Sequence, residues 1–315
     1  MDLDELVMKY AIGANVRYKR KQKNKYVSML GDEFQKMNYQ VRGVIGKYNF
    51  HKALNLTVGD LLKADKIYIC PYDTPARSYG KKSDYYPLDG KNNFNTNFLT
   101  SFLPLLLFGL IGLFYILYVL PKIDFILKPV WSVFLVIIFI GLMLIAYFMT
   151  MGIANQVNFN RNSAGVITLI NMASMLSDAE KEKVAFVFTD YSYTSHAGDK
   201  MLRNALPKTI DNRKIVYLDC VGNGQEFVIG YRDKSTQDSK TFSKCFAEHP
   251  LRKKLTEDNM KFSSISYYPR GLIITKGSRT PAGFVVENTQ TKEDMNIDFE
   301  AIEKLSEALK KYILQ

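Results

Sequence analysis

Three aspartates stand where a sheet could present them for chemistry. Asp73 follows the apolar run Lys66–Cys70, Asp190 follows another such run, and Asp219 lies in Ile215–Val221. Short apolar runs are typical of strands covered on both faces, and α/β sheets present their sites at the carboxyl ends of these strands. A carboxylate there can bind metal or act as a base, and it can equally cap a turn. Both interpretations stay open.

A second possible chemistry is a nucleophile beside a base. Ser192 and His196 lie close in the sequence, but no acid that would orient the histidine is fixed by it. His196 also begins a predicted helix, where an exposed or packed histidine is the plainer interpretation. Cys70, Cys220 and Cys245 form neither a disulfide framework nor a metal-binding pair, and a buried strand thiol is inert. We therefore assign no catalytic residue.

The elements that would position these residues alternate between helices and strands. The predicted helices are Tyr26–Met37, Ala164–Leu176 (capped by Asn162 or Ser163), His196–Leu206 and the amphipathic Phe299–Leu314. The predicted strands are Tyr39–Tyr48, Lys66–Cys70, Val184–Thr189, Ile215–Val221, Gly271–Thr275 and Gly283–Glu287. This alternation predicts an α/β fold with a mostly parallel sheet.

Two uncharged apolar segments, Phe98–Leu120 and Val130–Met151, interrupt that pattern. Each is long enough to cross a hydrocarbon core of about 30 Å as a helix. The connection between them is short, so they are predicted to form an antiparallel transmembrane hairpin inserted into one soluble domain. We expect three parts: residues 1–97, 98–151 and 152–315. Aromatic residues expected near the membrane interfaces are Trp131, Tyr115, Tyr118 and Tyr147.

The distribution of basic residues gives an expected orientation. The flanks carry Arg77, Lys81, Lys82, Lys91 and Arg161, whereas the connecting loop carries Lys122 and Lys128. The positive-inside rule then places the soluble part and both termini in the cytoplasm, and the first residues do not look like a signal peptide.

The chain as a whole is basic, with a formal net charge of +11. Its densest basic run, Arg17–Lys25, is either a solvated helix face or a contact with anionic lipid. Nothing in the sequence resembles a nucleic-acid-reading module, so membrane lipid is the expected partner. The sequence does not fix an oligomeric state.

Five stretches in order resemble the M28 family of zinc aminopeptidases over about residues 26–90 and 152–315. They are KIYICPYDTP, FNRNSAGVITLINMASML, KVAFVFTDYSYTSHAGDKML, KIVYLDCVGNG and NTQTKEDMNIDFEAIEKL. The resemblance implies a three-layer α/β sandwich. In that family two histidines, two aspartates and a glutamate hold two zinc ions, and a second glutamate is the general base.

The chemistry of the family's motifs does not match here. The two histidines fall on Pro71 and Gln290, the bridging aspartate on Asn162, and the glutamate pair on Ser192 and Tyr193. Asp73 and Asp219 are retained, and only Asp219 stands at a ligand position. Two dications need several anionic or imidazole donors, and activated water needs a base. The resemblance therefore implies no cofactor and no catalytic residue, and it implies a cleft that these seven residues line.

The leading hypothesis is a membrane-anchored, catalytically inactive aminopeptidase-like protein. It would bind a peptide or protein, or act as a scaffold subunit of a transport or secretion complex. Tyr72, Tyr191 and His196 are the candidate peptide-binding residues beside Tyr193. Glycines in the hairpin would pack against partner helices. The alternative is a divergent membrane aminopeptidase with one zinc ion on Asp219, Asp73 and His196.

Overall fold

The structure, a computed structural model, describes residues 2–48, 51–78, 83–98, 103–123, 126, 128–193, 195–206 and 211–315. Nine strands form one sheet: β1 Val41–Tyr48, β2 His51–Val58, β3 Lys66–Pro71, β4 Val184–Thr189, β5 Lys214–Leu218, β6 Glu226–Tyr231, β7 Leu251–Lys254, β8 Gly271–Thr280 and β9 Gly283–Val285. Their order is β1-β2-β4-β3-β5-β8-β6-β7, and β9 pairs with β8.

The centre of the sheet is parallel. β3 pairs in parallel with β4 and β5, and β5 does so with β8. β2 and β6 join this centre in antiparallel orientation, and the outer strands β1 and β7 continue from them. The α/β prediction with a parallel core is confirmed. Because β3 precedes the apolar hairpin and β4 and β5 follow it, both flanks of the hairpin build one sheet.

Helices cover both faces of this sheet. The described residues form the helices α1 Leu3–Val7, α2 Arg20–Lys36, α3 Gly90–Asn97, α4 Leu103–Phe114, α5 Pro129–Met151, α6 Ala164–Ser174, α7 Asp178–Lys181, α8 Ala197–Ala205, α9 Thr236–Ser243, α10 Glu257–Met260 and α11 Phe299–Ile313. Alternate side chains of a strand point to opposite faces. Tyr68 and Cys70 of β3 therefore join the core under α2, α6 and α11, whereas Ile67 and Ile69 join the core under α8 and α10.

The basic run near the start of the chain is buried in part: Arg17 and Lys23 are buried, whereas Lys19, Arg20, Lys21 and Lys25 are exposed. Arg17 is fully buried; its guanidinium donates to the carbonyls of Tyr72 (2.7 Å), Tyr10 (3.2 Å) and Ala14 (3.1 Å). Lys23, on α2, is 5% exposed and pairs with a carboxylate. Arg17 thus fastens the segment before α2 to the carboxyl end of β3.

A π-helical turn, Phe159–Ser163, leads into α6, and its start is capped from a distant segment. The carboxylate of Asp294 accepts the backbone N–H groups of Asn160 (2.9 Å) and Arg161 (3.3 Å). Ser163 stands at the predicted N-cap position of α6, but its side chain makes no capping hydrogen bond. Because Asp294 satisfies these otherwise unpaired donors, the polar side chains of the turn are available for other contacts.

The apolar segments form two helices that pack against each other outside the sandwich. The stretches Leu105–Lys122 and Pro129–Met149 have mean hydropathies of 2.0 and 2.7 and are 6% buried each, so they are long and apolar enough to cross a membrane. Trp131 is exposed, as are Tyr118 and Tyr147. Tyr115 is not at an exposed interfacial position, because it is buried against α5 and its hydroxyl donates to the carbonyl of Leu135.

Candidate functional site

A cavity of about 340 Å³, the central pocket, lies at the carboxyl ends of the central strands. Pro71 ends β3, Ser192 and Tyr193 follow β4, and Asp219 follows β5. These four residues line the pocket, as do the predicted residues Gln290 and His196. The parallel strands thus bring together side chains from distant parts of the chain, as the positions of the motifs predicted.

An arginine side chain contacts the carboxylate of Asp219. Nη1 of Arg161 lies 2.9 Å from Oδ1 of Asp219, and the hydroxyl of Tyr85 donates to Oδ2 over 2.6 Å. Arg161 is 4% exposed and Asp219 is 5% exposed. Both carboxylate oxygens are therefore engaged inside the protein, and the negative charge is balanced by a guanidinium.

The guanidinium of Arg161 lies between two aromatic rings. Its central carbon is 3.3 Å from the ring centroid of Tyr85 and 4.3 Å from that of Tyr193. A planar, weakly hydrated cation is well suited to such stacking. Burial lowers the pKa of Arg161, but Asp219, Cys220, Tyr193 and Tyr85 together outweigh burial and hold this pKa well above its usual range. The site is therefore built around a permanent cation.

Asn162 and Asp73 lie behind the pocket and do not line it. The hydroxyl of Tyr193 donates to Oδ1 of Asn162, and Nδ2 of Asn162 donates to the backbone carbonyl of Asp73. The carboxylate of Asp73 accepts the backbone N–H of Ser192 at 3.4 Å. These bonds fix the loop after β4 against the end of β3, so Asn162 acts as a positioning residue for Tyr193.

Asp190, one of the three aspartates that could bind metal or act as a base, is part of a second buried charge cluster. It pairs with Lys23, and it accepts the backbone N–H groups of Tyr191 (2.8 Å) and Leu54 (3.2 Å). Asp73 also lies in the field of Lys23. Burial raises the pKa of Asp73 to about 7; Lys23 opposes this increase, and Asp190 adds to it.

His196 and Ser192 do not form the possible nucleophile pair. The ring of His196 lies 3.0 Å from Oγ of Ser264 and 3.1 Å from the carbonyl of Phe262, whereas Oγ of Ser192 lies 3.1 Å from Oγ1 of Thr189. Ser264 in turn donates to the buried Asp199 over 2.6 Å. The hydroxyl therefore lies between the acid and the imidazole, and this is not the order of a Ser–His–Asp triad.

The candidate tyrosines separate into two environments. Tyr72 does not line the central pocket, because it is fully buried, stacks on Tyr26 and donates its hydroxyl to Leu54. Tyr191 contacts His51 and lines a different, smaller cavity beside Lys23. Of the proposed peptide-binding tyrosines, Tyr193 is therefore the one that faces the central pocket. Cys70 is buried, and burial raises the pKa of its thiol, which keeps it inert.

Several residues of the site were not predicted as such. The sequence predicts only a flanking charge at Arg161. It gives no signal for a function of Tyr85 or of Ser264, which begins a short 3₁₀ turn. The sequence signal available for Arg161 was its place beside Asn162, in the stretch that resembles a zinc-binding motif. An arginine there would counter a carboxylate, but its partner is fixed only by the fold.

The side chains present do not fit a zinc ion. Among the residues that the structure describes, no group of three or more His, Cys, Asp or Glu side chains could hold a metal. Both oxygens of Asp219 are already bonded, and Asp73 and His196 have separate partners. The predicted single-zinc site is therefore not assembled.

Comparisons with known proteins identify the fold. No family model and no curated protein matches the sequence. A glutaminyl cyclase of Bacteroides thetaiotaomicron bound to N-acetylhistamine has 13% identity and a TM-score of 0.57 over 99% of this chain and 97% of that one. A Zn-dependent exopeptidase from Parabacteroides distasonis has 12% identity and a TM-score of 0.56 over 99% and 97%.

A leucine aminopeptidase precursor from Bacteroides thetaiotaomicron is similar to the same degree, with 13% identity and a TM-score of 0.55 over 99% of this chain and 96% of that one. At these identities the likeness concerns the fold alone. The chain thus has the fold shared by Zn-dependent exopeptidases and glutaminyl cyclases, and the predicted aminopeptidase-like fold is confirmed.

We predict that Arg161 and Asp219 stabilise the fold as a pair. Arg161→Met leaves a buried carboxylate without its cation and should cost about 3–5 kcal/mol. Asp219→Asn should also destabilise, and the double variant should lose less than the sum of the two. The thermal unfolding midpoint in detergent measures each effect. Lys304→Met, which removes an exposed pair with Glu300, should leave the midpoint nearly unchanged. Additive losses would contradict the pairing.

We also predict that Asp73 makes stability depend on pH. Its pKa is higher in the folded protein, about 7, than the ordinary 3.8, so the folded state binds more protons within this window. Stability should therefore fall as pH rises from about 4 to 7, by on the order of 3 kcal/mol from this group. Lys23 and Asp190 are the charged groups that face it. Thermal midpoints across this range should fall less for Asp73→Asn; parallel curves would refute the assignment.

Proposed function

We propose that this chain is a membrane-anchored, non-catalytic aminopeptidase-like protein that binds a peptide or protein segment in its central pocket. The observation that carries the proposal is the Arg161–Asp219 pair. A guanidinium neutralises the carboxylate that the family uses for zinc, but it cannot supply an open coordination position or an activated water. The pocket meanwhile stays large enough for one or two side chains.

The lining of the pocket supports binding of a peptide. Tyr85, Tyr193 and Tyr217 offer aromatic surface, with their hydroxyls donated to neighbouring side chains, and Gln290 adds an amide. Such a mixture of apolar surface with a few placed polar groups is typical of ligand pockets. The similar solved structures include exopeptidases and glutaminyl cyclases, whose names indicate peptide chemistry, so a peptide end is the ligand we propose.

The helices α4 and α5 supply the proposed membrane anchor. Their exposed apolar surface is not covered by any of the described residues, and a bilayer would cover it. Open space beside Gly109, Gly112 and Gly141 could receive helices of a partner. On this basis we propose that the protein is a receptor or scaffold subunit of a membrane complex, such as one for transport or secretion.

The proposed function predicts that the detergent-purified protein carries no stoichiometric zinc and releases no amino-terminal residue from peptides. Elemental analysis and an aminopeptidase assay would be compared with Asp219→Ala. A set of pentapeptides with free or acetylated amino ends should include one that raises the thermal midpoint. At 100 times its dissociation constant, such a peptide stabilises the folded state by about 2.7 kcal/mol.

Ser263→Trp is the matched control, because Ser263 lines the pocket and is partly exposed, so the larger side chain blocks the pocket. The stabilisation should be lost in this variant. About two zinc ions with turnover that disappears in Asp219→Ala would favour the alternative, a divergent metal-dependent aminopeptidase. Absence of both zinc and peptide binding would leave the scaffold role without support from this pocket.

The proposed cytoplasmic side rests on the basic flanks. Arg161 no longer counts there as a free charge because it is buried, and Lys81 and Lys82 lie outside the described residues. We predict that Ile126→Cys, in the exposed connection, reacts with an impermeant maleimide on intact cells, and that Leu62→Cys reacts only after lysis. The reverse pattern would place the sandwich outside.

A further inference from the structure

Both ends of the apolar hairpin attach beside the central pocket. Phe98 follows α3 and lies five residues before α4, so at most about 18 Å of extended chain separates them. At the other end α5 stops at Met151, and Ile153 accepts the backbone N–H of Arg77 over 2.6 Å. The next residue, Ser78, lines the pocket. A membrane crossed by the hairpin would therefore lie close to the pocket.

Three phenylalanines form an exposed patch, the aromatic rim, at this same place. Phe94 stacks on Phe262 with ring centroids 4.2 Å apart, and Phe98 lies 6.3 Å from Phe94. Phe94 and Phe98 are 44% exposed and Phe262 is 58% exposed. Phe94 and Phe262 also line the central pocket, so the rim stands at its mouth. Adjacent exposed aromatic rings signal a surface that contacts something apolar.

The fold holds Phe262 outward at some cost. Its backbone has a φ of 58°, a conformation that a bulky residue rarely adopts. His196 lies 3.1 Å from the carbonyl of Phe262, and a Cβ on Gly90 would come within 2.0 Å of the carbonyl of Lys261. The start of α3 and the Phe262 loop are therefore packed directly together, which keeps the rim in one piece.

Exposed basic side chains adjoin the rim among charges of both signs. Lys91 and Lys261 have side chains that are 54% and 58% exposed, and both pair with Asp258. Arg77, Asp84 and Glu257 are exposed as well. Aromatic rings beside exposed lysines suit the headgroup region of a bilayer, where rings enter the interface and basic side chains meet the phosphates of anionic lipid.

We propose that the aromatic rim rests in the interface of an anionic bilayer and that the central pocket opens at the lipid surface. The inference rests on the membrane anchor of the proposed function and adds a second contact to it. A peptide that enters the pocket would then approach along the membrane, as the juxtamembrane segment of a membrane-bound chain does.

Spin labels on the full-length protein in nanodiscs of phosphatidylcholine and phosphatidylglycerol test this contact. Labels would be placed at Phe262→Cys in the rim, at Ile137→Cys in the hairpin, and at Leu62→Cys. Leu62 is 63% exposed and precedes the amino end of β3, opposite the pocket. The three native cysteines are buried, so labelling is selective. Relaxation by oxygen reports lipid immersion, and relaxation by a water-soluble nickel complex reports aqueous exposure.

The expected oxygen-to-nickel ratio at Phe262→Cys is several-fold above that at Leu62→Cys, and it falls when Lys91→Glu and Lys261→Glu are added or phosphatidylglycerol is left out. An aqueous label at 262 beside an immersed label at 137 would overturn the rim contact and leave the anchor intact. A label at 262 shielded from both reagents would mean that protein covers the rim, which also overturns it. An aqueous label at 137 would overturn the anchor itself.

Discussion

A carboxylate buried at the end of a central strand needs a cation, and the candidate site depends on how this chain meets that need. A buried carboxylate without a partner costs free energy that is comparable with the whole net stability of a protein. The family that the sequence resembles supplies metal ions at this place. Here Arg161 supplies a charge that is covalently part of the chain and cannot dissociate.

The choice of cation has consequences for the surrounding residues. A guanidinium is flat and donates in fixed directions, so it needs flat neighbours and aligned acceptors. Tyr85 and Tyr193 provide the faces, and Asp219 provides the acceptor. By the resemblance seen in the sequence, Tyr193 falls on a glutamate of the family's motif. An aromatic ring at this position suits a guanidinium, which has its own carboxylate partner in Asp219.

The central strands were predictable because their signal is local. β3, β4 and β5 are uniformly apolar, since helices cover both of their faces. β2, β6 and β7 were not predicted, because they lack this uniform apolar pattern. Away from the centre of the sheet, a strand such as β7 carries lysine and arginine and is held by pairing with its neighbour rather than by burial. Pairing between distant segments leaves little trace in a single sequence.

The site was predictable only in part, because the sequence does not show which charged side chains are buried. Pro71, Ser192 and Asp219 line one pocket because parallel strands end at one edge of the sheet, and this feature can be inferred from sequence. Arg17 and Lys23 were misplaced because a dense basic run is typical of solvated surface, and a buried cation is possible only where acceptors already converge. For Arg17 those acceptors are backbone carbonyls, including one at the end of β3 and one in the segment after α1.

The inner end of the pocket and its mouth are held in different ways. Arg161 lines the inner end and pairs with Asp219 after β5, whereas Arg17 and Lys23 lie behind the pocket and bond to the segments after β3 and β4. The mouth is made by α3 and the residues around Phe262, which are more exposed and are held by packing and by the bond between His196 and the carbonyl of Phe262. Local stability follows burial and contact density, so the inner end is expected to be the more stable part. The proposed membrane contact would therefore involve the mouth and leave the buried charge network unchanged.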